Sequence, residues 1–306
     1  MKPLRIIFMG TPDFAVPSLE ILIEHQYNVV AVITAPDKPK GRGQKLIPSP
    51  IKQTAEKYRI PVLQPTNLKS SEFIDTLKSY QANLQVVVAF RMLPEVVWSM
   101  PDKGTFNLHA SMLPDYRGAA PIHWAIINGE KETGVTTFFL KHEIDTGNII
   151  LQEREPVFEN DTTGSLSQRL MVRGAALVLK TVQQIETGAY QLTSQDLVEN
   201  LPKAPKLFKN DCEVNWEWDA TEIVNFIRGL NPFPSAWISI NGVTYKLHEA
   251  KEISTPEFKG EIGDYHTDNK TFLYFKAKKG IVSIEQIQAP GKRSMTIETF
   301  LRGNNL

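Results

Sequence analysis

The chain opens on short apolar runs separated by turn residues and by segments of helical spacing. Residues 4–9 (LRIIFM) form a buried-strand pattern that ends at Gly10-Thr11-Pro12. Leu19, Leu22 and Ile23 then recur at i, i+3, i+4, which predicts a helix. Residues 29–34 (VVAVIT) predict a second strand. Ser49-Pro50 reads as an N-cap with proline at the first helical position, before a helix carrying Ile51, Ala55 and Tyr58 on one face. A short strand at 61–63, a helix over 70–80 and the very apolar strand 84–90 (LQVVVAF) continue the alternation. Strands alternating with helices predict a Rossmann-like, doubly wound and mostly parallel α/β sheet. Further strands are predicted at 105–111, 135–140 and 149–152, then a long helix from about 165 to 186 closed by Gly188.

The pattern changes after residue 190. Residues 190–209 lack periodicity and contain Pro202 and Pro205, which marks a linker between a first domain over 1–189 and a second over 210–306. In the second, Asp219-Ala-Thr-Glu222 is a capping box for a short helix through Arg228. Residues 236–240 and 243–249 flank Asn241-Gly242, the signature of a hairpin with a type I′ turn. Strands at 271–276 and 281–288 complete the prediction of a small, OB-like β-barrel.

Charge removes one simple reading. Thirty-four Lys and Arg balance 34 Asp and Glu. The balance holds locally: 12 against 13 from residue 207 onward, 22 against 21 before it. Any nucleic acid must therefore be held by local cations rather than by a diffuse positive field. The densest group is Lys38, Lys40, Arg42 and Lys45, with Gly41 and Gly43 beside the arginine. Such a loop is either an ordinary solvated face or a phosphate- and base-reading element. No apolar run reaches the roughly 20 residues needed to span a bilayer. The single cysteine, Cys212, has neither a disulfide partner nor metal-ligand spacing. A reduced, cytoplasmic protein without membrane contact is the expectation.

Two segments carry chemistry. In Thr105-Phe-Asn-Leu-His-Ala-Ser111, strand alternation puts Phe106, Leu108 and Ala110 on one face and Asn107, His109 and Ser111 on the other. A polar row at the carboxyl end of a parallel strand lies where open α/β sheets form their ligand crevice. Asn and His are equally at home there as buried, hydrogen-bonded structural groups. The second segment, Gly134-Val-Thr-Thr-Phe-Phe-Leu140 followed by His142-Glu-Ile-Asp145-Thr-Gly147, puts an Asp beside Thr-Gly, ordinarily a turn former. Alternatively, Asp145 orients a histidine and favours its charged form.

With Leu113-Pro114, Arg117-Gly118 and Ile-Asp145-Thr-Gly147, these segments resemble the folate-dependent formyltransferases, whose shared trio is an Asn, a His two residues later, and an Asp on a following loop. The likeness spans almost the whole chain. Gly10-Thr-Pro-Asp-Phe14, Pro36-Asp-Lys-Pro-Lys-Gly41-Arg42-Gly43, Gly118-Ala-Ala-Pro121 and Ala204-Pro-Lys206 are similar to the branch acting on methionyl-tRNA. The resemblance implies Asn107, His109 and Asp145 as the catalytic group, 10-formyltetrahydrofolate as donor, initiator methionyl-tRNA as acceptor, no metal, and a monomer. It assigns Val88, Ala89, Phe90, Arg91, Met92 and Leu93, with Ser111, Leu113 and Pro114, to the folate side. That stretch departs from the tyrosine-glycine version common in the tRNA branch and is closer to purine-pathway relatives. Phe14 is assigned to the methionine pocket, and Lys38, Lys40, Arg42, Lys45 and Lys206 to the tRNA. Asn107 would then donate to a tetrahedral oxyanion. His109 would serve either as acceptor of the amine proton or as a second donor. Other acceptors implied within the family are a small amine such as glycinamide ribonucleotide, or water. The residues after Leu113 also predict a cis peptide at Pro114.

Overall fold

A computed structural model describes residues 3–40, 45–195, 200–254, 259–304 and 306. Arg42 therefore lies outside the described residues. The chain divides into two compact units, each assembled from separate stretches of sequence. The first comprises 1–117, 134–155 and 167–202, and the second 118–133, 156–166 and 203–306.

The first unit is built on a seven-stranded sheet. Its strands are β1 (Arg5–Gly10), β2 (Asn28–Ile33), β3 (Val62–Leu63), β4 (Leu84–Val88), β5 (Thr105–His109), β6 (Glu132–Phe139) and β7 (Ile149–Pro156). Their order across the sheet is β7-β6-β5-β4-β1-β2-β3. From β3 to β5 all neighbours are parallel, and β6 then runs antiparallel to β5. Apolar runs such as LQVVV in β4 are buried throughout, as expected of parallel strands covered on both faces. On one face Ile7, Met9, Ile33 and Val87 pack with Phe73 and Leu77 of the helix Ser71–Ser79. On the other, Leu108 meets Gly174 of the long helix Thr163–Thr187 so closely that an added Cβ would lie 2.7 Å from Leu108 Cδ2. Local signals operate as the sequence predicts. Ser49 Oγ accepts from Lys52 N (3.1 Å) at the helix Pro50–Lys57, and Gly188, at φ +72°, ends the long helix.

The second unit holds a six-stranded antiparallel sheet, with β8 (Ala236–Ile240), β9 (Val243–Ile253), β10 (Tyr265–Thr267), β11 (Leu273–Lys276) and β12 (Ile281–Gln288) in the order β8-β9-β12-β11-β10, and β13 (Met295–Thr296) pairing with β12. The sheet is an open half-barrel: no ladder among the described residues joins β8 to β10. Asn241 (φ +50°) and Gly242 (φ +77°) both adopt the left-handed backbone a type I′ turn demands. The helix Ala220–Gly229 carries the Asp219/Glu222 capping box and buries Ile223, Phe226 and Ile227 in the core of this unit. No helix of the described residues is long and apolar enough to cross a membrane.

Candidate active site

β5 is the last strand of the parallel run, with β4 on one side and β6 on the other. Alternation along it does what the sequence predicts: Phe106, Leu108 and Ala110 are buried, and Asn107 and His109 share the opposite face. Register places Phe138 of β6 across from Asn107 and Thr136 across from His109. The Asn107 side chain is half-buried and makes no hydrogen bond to a described residue. A carboxamide left in that condition is available to a bound molecule.

His109 is 6% exposed and bracketed by two acceptors. Its Nε2 lies 2.9 Å from the Tyr116 carbonyl oxygen, and its Nδ1 lies 3.9 Å from Asp145 Oδ2. A carbonyl can only accept, so Nε2 carries the proton in that bond. Nδ1 is then the nitrogen that can take up a proton, and a proton there faces a carboxylate. The neutral ring is a base on its Asp145 side. The charged ring would donate to the Tyr116 carbonyl and stand within ion-pair range of the Asp145 carboxylate.

The turn after β5 aims the Tyr116 carbonyl. Ser111 Oγ donates to Asp115 O (2.6 Å), and Thr136 Oγ1 donates to Ser111 O (2.7 Å) while accepting from Leu113 N (3.2 Å). Gln152 Nε2 adds a bond to Thr136 Oγ1 (3.0 Å) and one to Leu113 O (2.8 Å). The Leu113-Pro114 peptide is cis, as expected from the sequence. Ser111 and Leu113, assigned by resemblance to the folate side, are both buried, and their polar groups are engaged within the turn. Thr136 and Tyr116 were not singled out from the sequence. Strand pairing alone would have found Thr136, but a backbone carbonyl leaves no sequence signal.

Asp145 arrives by a different route. β6 ends beside the start of β5, where Leu140 N donates to Thr105 O (2.9 Å). The chain then turns back across the sheet face over Phe138. Gly147 sits so close to this ribbon that a Cβ would lie 1.6 Å from Phe139 O. Asp145 itself has φ +55° and a side chain only 14% exposed.

The donor-side stretch leaves the carboxyl end of β4, adjacent to that of β5 because Val88 pairs with Leu108. Val88 and Leu93 are buried, Ala89 is exposed at φ +48°, Phe90 is half-buried, and Met92 is 73% exposed. Arg91 donates to the carbonyls of Pro65 and Thr66. Beside it lies an open groove of about 650 Å³, lined in part by Thr66, Lys69, Arg91, Met92 and Val96. Gly10 closes the other side of the edge, where a Cβ would meet Ala15 at 2.7 Å and Val88 O at 3.0 Å. Phe14 follows it in the 3-10 turn Asp13–Ala15 and is half-buried.

The described residues flanking the basic segment form paired strands. Lys38–Lys40 pairs antiparallel with Lys45–Ile47, bringing Lys40 opposite Lys45. Its base is fixed through Asp37, which binds Lys52 Nζ (2.6 Å) and Gln64 Nε2 (2.7 Å). Those bonds hold the Asp37 carboxyl below the usual carboxylate range. Lys38 is exposed, as is Lys206 of the second unit, whose ammonium lies 5.1 Å from the Phe208 ring centroid. No group of three or more His, Cys, Asp or Glu among the described residues could hold a metal ion.

Residues 4–182 match the family model described as formyl transferase, and 206–305 match formyl transferase, C-terminal domain. The chain is 50% identical to a methionyl-tRNA formyltransferase of Azobacteroides pseudotrichonymphae, covering 98% of this chain and 96% of that one. It is 48% identical to a methionyl-tRNA formyltransferase of Bacteroides fragilis, covering 100% and 96%. Among solved structures it resembles WlaRD, a sugar 3N-formyl transferase crystallised in the presence of dTDP and 5-N-formyl-THF. The TM-score is 0.68 at 22% identity, over 96% of this chain and 100% of that one. HypX from Aquifex aeolicus, in complex with tetrahydrofolic acid, gives a TM-score of 0.63 at 20% identity, over 97% and 46%. A sheet of this order, an Asn-His pair on its last parallel strand, and two family segments matched end to end lead to one statement: the chain belongs to the formyl transferase family.

Proposed function

We propose that this protein transfers the formyl group of 10-formyltetrahydrofolate to the α-amino group of methionine on initiator tRNA. The observation that carries the reading is the convergence of Asn107, His109 and Asp145, from a strand and a distant loop, on one face of β5. The acceptor is drawn from relatives of about half-identical sequence that match across both units.

The residues suit each step. The amine lone pair attacks the formyl carbon, a C–N bond forms, and the carbonyl electrons move onto oxygen. Asn107, with no internal partner, donates to that oxyanion, a contact of the kind whose loss costs ~2.7–4 kcal/mol. The new ammonium gives a proton to His109 Nδ1, because Nε2 is already held as a donor by Tyr116 O. Asp145 then faces the imidazolium. As the intermediate collapses, the bond from the formyl carbon to N10 breaks, and the proton returns from His109 to N10. Formylated amine and tetrahydrofolate result, with no net gain or loss of protons at the imidazole.

On the donor side, the 88–93 turn and the groove beside Arg91 supply backbone groups and apolar surface for the pterin. On the acceptor side, Phe14 contributes to the methionine pocket, and Lys38, Lys40, Arg42, Lys45 and Lys206 contact tRNA. The enzyme is taken to work in the cytoplasm as a monomer. The test is to supply labelled 10-formyltetrahydrofolate with initiator methionyl-tRNA, elongator methionyl-tRNA, glycinamide ribonucleotide or buffer. Label should pass to the initiator tRNA. Label passing preferentially to the small amine, or donor loss at the same rate without acceptor, overturns the assignment.

A further inference from the structure

Both groups that bracket His109 are themselves held, and by the same stretch of chain. After the long helix, Thr193 forms a two-way backbone bridge with Ile149: Ile149 N to Thr193 O is 2.8 Å and the reverse bond 2.9 Å. This lays the segment beside the loop that carries Asp145. Two residues on, the Gln195 side chain, only 8% exposed, reaches in. Its Nε2 donates to Asp145 O (2.9 Å) and Gly147 O (2.7 Å). Its Oε1 accepts from Arg117 Nε (3.0 Å) and Nη2 (2.6 Å). Further along, the Pro202 carbonyl accepts from Tyr116 N (2.7 Å).

Chemistry fixes the direction of every bond in this group. Carbonyls only accept and a guanidinium only donates, so the Gln195 amide has one possible orientation. Both of its N–H groups and both lone pairs are used, in a nearly dry site, where leaving any one unpaired is costly. The bonds hold the carbonyl of Asp145 itself and that of Gly147, two residues on, and Asp145 is a non-glycine residue held in the left-handed region. That conformation is unfavourable for an L-residue and persists only when its surroundings enforce it. Arg117, the other end of the bridge, directly follows Tyr116. The two groups facing the imidazole are therefore tied to each other through Gln195.

We propose that Gln195 is a positioning residue for formyl transfer, setting the Asp145 carboxylate against His109. This rests on the catalytic reading of the trio given above. Gln195 touches no reacting atom. It acts through Asp145, so its loss should appear in the rate of the chemical step and not in binding.

The experiment uses the full chain with Gln195→Ala, Gln195→Glu and Asp145→Asn, assayed with 10-formyltetrahydrofolate and initiator methionyl-tRNA. For Gln195→Ala, kcat should fall ~10–100-fold, the scale of loss from misplacing a catalytic group by about 1 Å. KM for both substrates should stay within about twofold, and the His109 ring signals should shift in a ¹H–¹⁵N spectrum. Gln195→Glu keeps its link to Arg117 but cannot donate to the two carbonyls. It should lose kcat to a similar extent while remaining folded. A purely structural residue would show the reverse: a lowered thermal midpoint in both variants, with kcat unchanged at a temperature where they are folded. That result, or normal kcat in Gln195→Ala with Asp145→Asn impaired, overturns the positioning role alone. Normal turnover by Asp145→Asn removes the catalytic reading of the trio, and the positioning role with it.

Discussion

Thr136→Val tests how firmly the turn after β5 is held, and its cost can be worked from named atoms. The Thr136 hydroxyl is fully buried and saturated, donating to Ser111 O and accepting from Leu113 N and from Gln152 Nε2. Valine keeps the shape and the β-branching but returns nothing to those three groups. Gln152 is exposed and also bonded to Leu113 O, so it loses little. Ser111 O and Leu113 N belong to buried residues, and each orphaned group costs about 1–3 kcal/mol. The extra apolar atom recovers about 0.8 kcal/mol. The net expectation is a loss of about 1–5 kcal/mol, against a typical domain stability of about 5–15 kcal/mol. For a unit of this size that corresponds to a thermal midpoint lower by roughly 2–20 °C. The turn also delivers the Tyr116 carbonyl to His109, so kcat should fall at a temperature where the variant is still folded. Circular dichroism melting and initiator-tRNA formylation at 20 °C check the two halves. A midpoint within 2 °C of the parent with unchanged kcat would show that the turn is held by other means.

Three further outcomes are expected. Asn107→Ala should cut formyl transfer by at least ~100-fold while retaining the fold and the affinity for a folate analogue, measured by single-turnover assay and calorimetry. Arg42→Ala should severely impair initiator-tRNA formylation with little effect on donor binding, whereas Lys40→Ala should act more uniformly across tRNAs and reduce the salt slope of binding; normal activity in Arg42→Ala would leave the basic segment without a role in recognition. Burial raises the Glu155 carboxyl pKa, but hydrogen bonds and charge from Arg169 and Arg173 outweigh it and leave the group below its ordinary value. A pKa depressed by folding adds stability that is present at neutral pH and lost as pH falls through the folded value, so the stability gap between the parent and Glu155→Gln should begin to narrow below about pH 4.3, the ordinary carboxyl value, and close as pH falls through the lower folded value. Melting both proteins from pH 7 to pH 3 checks this, and a gap constant with pH contradicts it.

What could be read from the sequence was set by interactions local along the chain. Alternation along 105–111 separated Asn107 and His109 from Phe106 and Leu108 because a strand offers only two faces. The Asn241-Gly242 turn and the Asp219/Glu222 cap follow from backbone geometry within four residues. Other features needed contacts between distant residues. Nothing in His-Glu-Ile-Asp-Thr-Gly indicates that Asp145 leaves from the far end of β5 and crosses Phe138 to reach His109. Gln195, within the aperiodic residues 190–209, is fixed by carbonyls and a guanidinium rather than by an apolar face, which leaves no periodic signal. A missed helix, Pro121–Ile127, did carry a local signal: proline at its first position, then Ile122, Ala125 and Ile126 at helical spacing.

The direction of the strands explains why the site forms on β5 and not on another strand of the same sheet. In the parallel run, every loop that follows a strand leaves from the same edge, so Gly10, Val88 and His109 bring their following segments to one side. Such loops can build a crevice wall but approach a bound molecule from one direction only. β6 reverses that direction next to β5, and the β6–β7 connection therefore starts at the opposite edge. It must cross the face of the sheet to bring Asp145 to His109, and the Gly147 contact with Phe139 shows how closely it hugs the strand in doing so. His109 is thus met from one edge by the Tyr116 carbonyl and from the other by the Asp145 carboxylate. In the proposed transfer, the Tyr116 bond fixes one side of the ring and the Asp145 carboxylate faces the other as the proton comes and goes. Fixed donors and acceptors that need not reorganise during the reaction are the main source of electrostatic catalysis. The reversal of a single strand supplies that second side.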